Sequence, residues 1–362
     1  MSKVHIDLVD RSYDVWCEYG ILDSLGEKIL SLGLSNQCAL ITDSNVDRYY
    51  AESVTSALVK AGMSVSRHVV KAGEAAKSMT NVENLCREMT QEGHGRKSFV
   101  IALGGGVVGD LAGFVAAVFY RGIPFIQIPT TIVSQVDSSV GGKTGVNISE
   151  GKNLVGAFHQ PKMVIVDPTT LSSLPGREYR EGYAEVIKHA AIRDKAMFDD
   201  LEELDPKDQQ PPAELLARNL AIKARVVEED EQELNDTRAL LNFGHTIGHG
   251  IEASLPYGEL LHGEAISLGI RAAVYLSQKR STLSVMEGTR ILALLENFQL
   301  PLILDEKIAT DTIMQKLLTD KKFSSGSIRF VLLKALGVSF VSDEITEADL
   351  REVIEHIRSE VK

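Results

Sequence analysis

Three groups of residues in the sequence stand at spacings that suit chemistry. The first is Leu103-Gly104-Gly105-Gly106-Val107-Val108-Gly109-Asp110, which follows the apolar stretch Phe99–Leu103 and opens a helical period. Glycines let a backbone approach a phosphate closely, and a helix N-terminus offers N–H donors and a favourable dipole. The run reads as a pyrophosphate turn, although it lacks the dinucleotide spacing G-x-G-x-x-G; the competing reading is a tight buried turn. The second group is Pro129-Thr130-Thr131 with Ser134 to Asn147, which supplies hydroxyls, glycines, Asp137 and Lys143; Gly151-Lys152-Asn153 repeats the pairing of lysine with amide. This composition suits a loop that wraps an anion, against the plainer reading of a Gly/Ser-rich surface loop. The third group joins Glu185-Val186-Ile187-Lys188-His189, Asn242 to His249, and Leu261-His262-Gly263-Glu264. His245 and His249 are four residues apart on one helix face, a spacing that suits a metal. Spacing alone leaves several three-ligand sets open among Glu185, His189, His245, His249, His262 and Glu264. His5, His68, His94, His159 and His356 have no such company and read as hydrogen-bonded core or surface groups.

The elements that must position these groups change character along the chain. Strands are expected at Ala39–Thr42, Val65–Val70, Phe99–Leu103, Phe125–Ile128 and Val164–Val166, alternating with helices near Val46–Ala61 and Thr80–Glu92. Asp43 and Ser44 stand where they can cap the first of these helices. Strand–helix alternation of this kind implies a parallel α/β sheet. After Pro175 the periods are mostly helical, over Glu178–Phe198, Ala213–Glu229, Thr246–Ala253, Glu264–Arg280 and Val285–Asn297, with one strand pair at Ser327–Leu333 and Val338–Val341. The polar, proline-bearing stretch Asp205–Pro212 connects helices. A boundary near residue 176 divides the chain into 1–176 and 177–362. Its 362 residues accord with two domains of about 150 residues each.

With 44% hydrophobic and 24% charged residues, the composition excludes long disorder and fibrous structure. A formal charge of −12 argues against duplex nucleic acid or an anionic membrane as a partner. Cys17, Cys38 and Cys86 form neither a disulfide framework nor a thiolate metal site. No signal peptide is read at the start of the chain, and the long apolar stretch Phe99–Tyr120 carries glycines and Asp110, which a lipid-spanning helix tolerates poorly. The expected location is cytoplasmic.

Leu103–Asp110, Arg121-Gly122, Pro129–Asn147, Gly151–Pro161, Glu181–Lys188, Arg238–His249 and Leu261–Glu264 together resemble the 3-dehydroquinate synthase family of sugar phosphate cyclases, over nearly the whole chain. The resemblance implies an N-terminal Rossmann-like NAD-binding domain, a C-terminal, mainly helical metal-binding domain, and a homodimer. By position it implies Glu185, His245 and His262 as ligands of Zn2+ or Co2+, with His249 facing the substrate phosphate and His189 outside the metal set. For NAD it implies Gly106, Val107, Val108, Gly109 and Asp110 at the pyrophosphate, with Thr130 and Thr131 beside them. Asp43, Glu74 and Lys77 stand near the adenosine, and Lys143, Lys152, Thr170, Leu171, Ser172 and Ser173 complete that site. For the substrate it implies Asp137, Lys143, Lys152, Asn153, Lys188, Lys223, Arg238, Asn242 and His249. Arg121 is expected to reach the phosphate from a neighbouring subunit, and one of Lys321 and Lys322 adds a further contact. Ala72 departs from the family, which usually carries Asp before Gly73-Glu74; the departure implies a weaker adenosine contact and leaves the chemistry alone.

The implied reaction converts 3-deoxy-D-arabino-heptulosonate 7-phosphate to 3-dehydroquinate and phosphate, a step of the shikimate pathway and of aromatic amino acid biosynthesis. It runs through transient NAD-dependent oxidation, phosphate elimination, reduction and intramolecular aldol closure, and its net outcome is a lyase reaction. The rival readings are a related sugar-phosphate cyclase and a metal-dependent polyol dehydrogenase. The dehydrogenase needs no cation cluster such as Lys143, Lys152, Lys188 and Arg238.

Overall fold

The computed structural model describes residues 2–233, 237–256, 258–319 and 328–360. Its strands are β1 Ser2–Ile6, β2 Tyr13–Cys17, β3 Gln37–Asp43, β4 Ser64–Val70, β5 Phe99–Gly104, β6 Phe125–Pro129, β7 Lys143–Ile148, β8 Gly151–Phe158, β9 Met163–Val166, β10 Ile328–Ala335 and β11 Val338–Ile345. Its helices are α1 Leu25–Leu30, α2 Glu52–Lys60, α3 Met79–Gln91, α4 Gly106–Val118, α5 Gly176–Arg193, α6 Lys195–Glu202, α7 Ala213–Glu229, α8 His245–Glu252, α9 His262–Arg280, α10 Val285–Asn297, α11 Thr310–Thr319 and α12 Glu347–His356. Two compact units emerge, Met1–Leu174 with Gln210–Glu228, and Pro175–Gln209 with Glu229–Lys362. The segment Gln210–Glu228 rejoins the first unit, so a single cut at residue 176 does not reproduce them.

The first unit is built on a seven-stranded sheet in the order β1-β2-β9-β6-β5-β3-β4. Every pairing is parallel except β1 with β2. β5 is buried along its whole length, as a strand covered on both faces must be. One apolar cluster packs α3 and α4 on one face through Val82, Leu85, Leu111 and Val115. The other packs α1 and α2 on the opposite face through Leu25, Ile29, Val54 and Leu58. The chain leaves β3 outward to β4 and then returns across it to β5, so the direction of winding switches between β3 and β5. In doubly wound sheets, ligands bind beyond the carboxyl ends of the strands at such a switch.

The second unit is helical apart from the β10–β11 hairpin. Where one helix is expected over Glu178–Phe198, two are found. The backbone turns at Asp194, whose carboxylate accepts the Met197 N–H at 3.0 Å and starts α6. The β1–β2 pair and the β7–β8 hairpin go beyond the expected strands, as do α1, α11 and α12. The expected strand start Ser327 and the pair Lys321 and Lys322 lie outside the described residues. No helix among the described residues is long and apolar enough to cross a membrane.

Candidate active site and metal centre

In the first unit the glycine turn joins β5 to α4. A side chain at Gly104 would meet Val108 Cγ2 at 2.6 Å, and one at Gly109 would meet Gln127 Oε1 at 2.7 Å. The glycines therefore let α4 start directly against the sheet. Thr130 N–H donates to Gly104 O at 3.0 Å and ties the ends of β5 and β6 together. Thr131 is held by mutual bonds with Ser134. The hydroxyls of Thr42 and Thr130, at the carboxyl ends of β3 and β6, are buried with no partner among the described residues. Buried polar groups are seldom left unpaired, so these two are candidates for a ligand's acceptors or donors.

Next to the turn, Lys77 forms the centre of a charged group. Its ammonium lies 2.6 Å from Asp110 Oδ2 and also donates to Asn153 Oδ1. Asn147 Nδ2 donates to Glu74 at 2.8 Å, and Asn153 N–H donates to Asn147 Oδ1 at 2.9 Å. Burial raises the Asp110 carboxyl above its ordinary range, and the Lys77 ammonium only partly offsets this. Glu74, Lys77, Asp110 and Asn153 are thus brought together. Asp43 is committed differently, for its Oδ1 accepts the Asn45 and Val46 N–H groups and caps the turn that follows β3.

Asp137 lies in a π-helical turn, Ser134–Ser138, and pairs with buried Lys223 of α7 at 2.8 Å. Lys143 opens β7 and Lys152 lies near the start of β8, both exposed on the hairpin. Thr170, Leu171, Ser172 and Ser173 form a 3-10 turn capped by Asp167. Tyr50 Oη donates to Thr170 O at 2.9 Å, and Gln135 Nε2 donates to Thr170 Oγ1 at 3.0 Å. Arg121 is exposed in a turn where Tyr120, Arg121 and Gly122 all have positive φ.

In the second unit, glycines bring three helices close enough to share a site. A side chain at Gly263 would stand 1.9 Å from Glu181 O, so the start of α9 packs on the backbone of α5. Gly244 and Gly269 do the same for α8 and α9, since a side chain at Gly269 would stand 1.9 Å from Gly244 O. The result is that Glu185 of α5, His245 and His249 of α8, and His262 of α9 converge. Glu185 Oε1 lies 3.2 Å from His245 Nε2 and 3.3 Å from His262 Nε2. One ring nitrogen from each of His245, His249 and His262 also falls within 4.8 Å of the others. Geometry therefore places His249 beside the ligand set that the resemblance implies. Glu264, left open by spacing, bonds Arg177 at 2.7 Å and caps the Leu261 N–H, so its carboxylate is committed elsewhere.

Buried charge is compensated around this centre. Glu185 forms an ion pair with buried Lys188, one turn along α5. Burial opposes ionisation of Glu185, but Lys188 and His245 outweigh it and hold the carboxyl well below its ordinary range. Burial and the Lys188 ammonium push the His245 imidazole down to about 4, so it is neutral and can act as a ligand. Burial also disfavours the His262 imidazolium. Hydrogen bonds to Glu185 and Glu252 overcome this and raise His262 to about 10.

Two acidic residues beyond the expected set support the centre. Glu252 Oε2 lies 3.0 Å from His262 Nδ1, and Glu181 Oε2 accepts the Gly263 N–H at 2.6 Å. Burial raises the Glu181 carboxyl to about 7. The signal for Glu252 was present in the sequence, since His245, His249 and Glu252 fall at i, i+4 and i+7 on one helix face. Arg238 is buried, donates to Glu231 O at 2.5 Å and lies 3.3 Å from Glu233. Asn242 ends the 3-10 turn Arg238–Asn242 just before α8.

Family models described as 3-dehydroquinate synthase N-terminal and 3-dehydroquinate synthase C-terminal match residues 67–181 and 182–323. The chain belongs to the 3-dehydroquinate synthase family. It is 45% identical to the 3-dehydroquinate synthase of Pelobacter propionicus, over 93% of this chain and 94% of that one. It is 42% identical to that of Desulforamulus reducens, over 98% and 99%. Formation of 3-dehydroquinate by a carbon–oxygen lyase reaction, a step of the shikimate pathway, is accordingly the activity of this chain. Among solved structures, a 2-deoxy-scyllo-inosose synthase complexed with carbaglucose-6-phosphate, NAD+ and Co2+ superposes with a TM-score of 0.88 at 26% identity, covering 98% of this chain and 99% of that one. The 2-epi-5-epi-valiolone synthase of Streptomyces hygroscopicus, with NAD+ and Zn2+ bound, does so with 0.87 at 28%, covering 95% and 96%. A butanol dehydrogenase from Thermotoga maritima, at 17% identity and a TM-score of 0.66, shares the fold alone.

Proposed function

We propose that Glu185, His245 and His262 hold the divalent metal of the synthase reaction, zinc or cobalt, and that the turn Gly106–Asp110 with Thr130 and Thr131 holds NAD. The observation that carries the metal assignment is the approach of buried Glu185 Oε1 to within 3.3 Å of two imidazole Nε2 atoms within one unit. One carboxylate and two imidazoles form a donor set suited to catalytic zinc. Bound there, the metal supplies Lewis acidity that lowers the pKa of a substrate hydroxyl. The turn fits a dinucleotide through its helix N-terminus and the unpaired Thr42 and Thr130 hydroxyls. Bound NAD supplies an acceptor for a hydride that is later returned, so the net reaction is not a redox one.

The remaining residues bind and orient. Glu252 fixes the ring of His262 through Nδ1, so that Nε2 is the nitrogen that would give up its proton and take the metal. Lys188 neutralises Glu185 from behind. We assign Lys188, Arg238, Asn242 and His249 of the second unit to the anionic groups of the phosphorylated sugar acid. Lys143, Lys152 and Asn153 of the first unit take the same role, and charge-assisted hydrogen bonds to phosphate and carboxylate are the strong kind; Asp137, paired with Lys223, is assigned to accept from a substrate hydroxyl. Asp43, Glu74, Lys77 and the turn Thr170–Ser173 are assigned to NAD. We assign the exposed Arg121 to the phosphate of a neighbouring subunit in a homodimer, and the cytoplasm as the setting. The test supplies the heptulosonate phosphate with catalytic NAD+ and Zn2+. Phosphate release without net NADH is expected, and steady NADH accumulation from a polyol would refute the assignment in favour of a dehydrogenase.

A further inference from the structure

The edge of the seven-stranded sheet carries a second cluster of metal-ligating types. β4 is the edge strand. Ser66 and His68 stand two residues apart on it and so face the same way. His94 follows α3 and is fixed by its N–H bond to Met89 O at 2.9 Å. The expectation that His68 and His94 lack company fails here, because the fold unites residues the sequence separates.

Ser66 Oγ lies 2.8 Å from His68 Nε2 and 2.6 Å from His94 Nε2. One hydroxyl carries one hydrogen and cannot donate to both rings. His68 Nδ1 lies 3.0 Å from Glu88 Oε2. A carboxylate accepts, so the Nδ1 of His68 carries a proton and Nε2 is the nitrogen that faces Ser66 and is placed to take a metal. His94 Nδ1 is buried with no partner among the described residues. Whichever nitrogen of His94 holds the proton, the other presents a lone pair. One ring nitrogen from each histidine and a carboxylate oxygen of Glu92 lie within 4.8 Å of one another. His68 and His94 are 2% and 4% exposed, so both rings are held in place.

We propose that His68, His94 and Glu92 form a second divalent-metal site of zinc type, separate from the catalytic centre, that clips the end of α3 to the edge strand β4. Two imidazoles and a carboxylate are borderline ligands suited to zinc, and Ser66 Oγ or water completes the tetrahedron. Glu88 behind His68 is the carboxylate partner that metal-bound histidines characteristically have. A hydrogen-bonded histidine pair would explain the Ser66 contacts but leaves the buried His94 Nδ1 unpaired.

The experiment is metal counting on the full-length protein, stripped with chelator and dialysed against micromolar Zn2+. Wild type is expected to hold two ions per chain. Glu92→Gln, at an exposed position, and His94→Gln are each expected to hold one and to keep wild-type turnover. Glu88→Gln should weaken this ion by roughly 10–100-fold. In Glu185→Gln, zinc should still raise the melting midpoint, and adding His94→Gln should abolish that rise. Uptake of one ion by wild type with none lost in His94→Gln would overturn the proposal, as would retention of both ions in His94→Gln and Glu92→Gln. A single ion that survives Glu185→Gln and disappears in His94→Gln would uphold this site while refuting the catalytic assignment.

Discussion

Replacing Gly263 by Ala puts one methyl group where the start of α9 lies against α5. Its position, 1.9 Å from Glu181 O, is far inside any normal carbon–oxygen contact. The obstacle is backbone of a packed helix, so no side-chain rotation relieves it. To restore ordinary contact, α9 must retreat from α5 by about 1 Å at its first turn, counting from the observed distance. His262 precedes Gly263 directly and moves with it, away from Glu185 Oε1. The same shift stretches the 2.6 Å bond from Gly263 N–H to Glu181. Overpacking of this size costs about 1–3 kcal/mol of stability. A displacement of about 1 Å at a catalytic centre can cost on the order of 10²-fold in rate. The expected outcome is a kcat/KM reduced about 100-fold, zinc bound at least ~10-fold more weakly, and NAD+ binding unchanged. Steady-state kinetics, zinc titration and thermal melting together separate loss of the site from loss of the fold. Gly95→Ala, where nothing lies within 4 Å of the new carbon, is the control. Wild-type kcat and zinc affinity in Gly263→Ala would refute the claim that this contact sets the ligand geometry.

Glu185→Gln should abolish turnover and zinc binding at the catalytic centre, leaving one ion per chain in place of two, and, by stranding the buried Lys188 ammonium, destabilise the protein by about 3–5 kcal/mol; denaturant unfolding and metal analysis check this, and a metal content equal to that of wild type would refute the assignment. Glu252→Gln should weaken zinc by roughly 10–100-fold with a smaller effect on KM than on kcat, because Glu252 acts through His262. In metal-free protein His262 is raised to about 10, so its proton stabilises the fold fully below the unfolded value near 6.5. That contribution is lost as pH rises toward 10. Zinc must displace the same proton, so its affinity should increase from pH 6.5 to 9; a flat profile in zinc titrations would count against the Glu185–His262–Glu252 arrangement. Lys152→Ala should cut turnover by on the order of 10²-fold or more through lost phosphate positioning, measured by phosphate release.

The glycine turn was legible because its chemistry is local. An apolar strand, a glycine run and a helical period are contiguous in sequence, and the structure places them as β5, Gly104–Gly105 and α4. The helices bearing Glu185, His245 and His262 were legible for the same reason, as each ligand stands in or beside an amphipathic period. Periodicity could not show that α7 rejoins the first unit, because a helix's own pattern does not say which core receives it. Nor could it separate α5 from α6, since the break depends on one capping carboxylate, Asp194, within what reads as a single helical period.

What no spacing reveals is which helices touch, and that choice rests on glycines rather than on ligands. Gly244, Gly263 and Gly269 each admit a neighbouring backbone that any side chain would push away. Read as a sequence, His245 and His249 are the obvious chelating pair and Glu185 is remote. Read through those glycines, α5 comes to α9 and α8 to α9, and the carboxylate of Glu185 comes within 3.3 Å of two imidazoles. The same reasoning applies at β4. His68 and His94 meet because an edge strand and a helix terminus are fixed by packing elsewhere, so their shared hydroxyl and unpaired nitrogen are products of the fold. A metal centre in this protein is therefore specified twice, by ligand types that can be read along the chain and by small residues that decide which chain segments are allowed to meet.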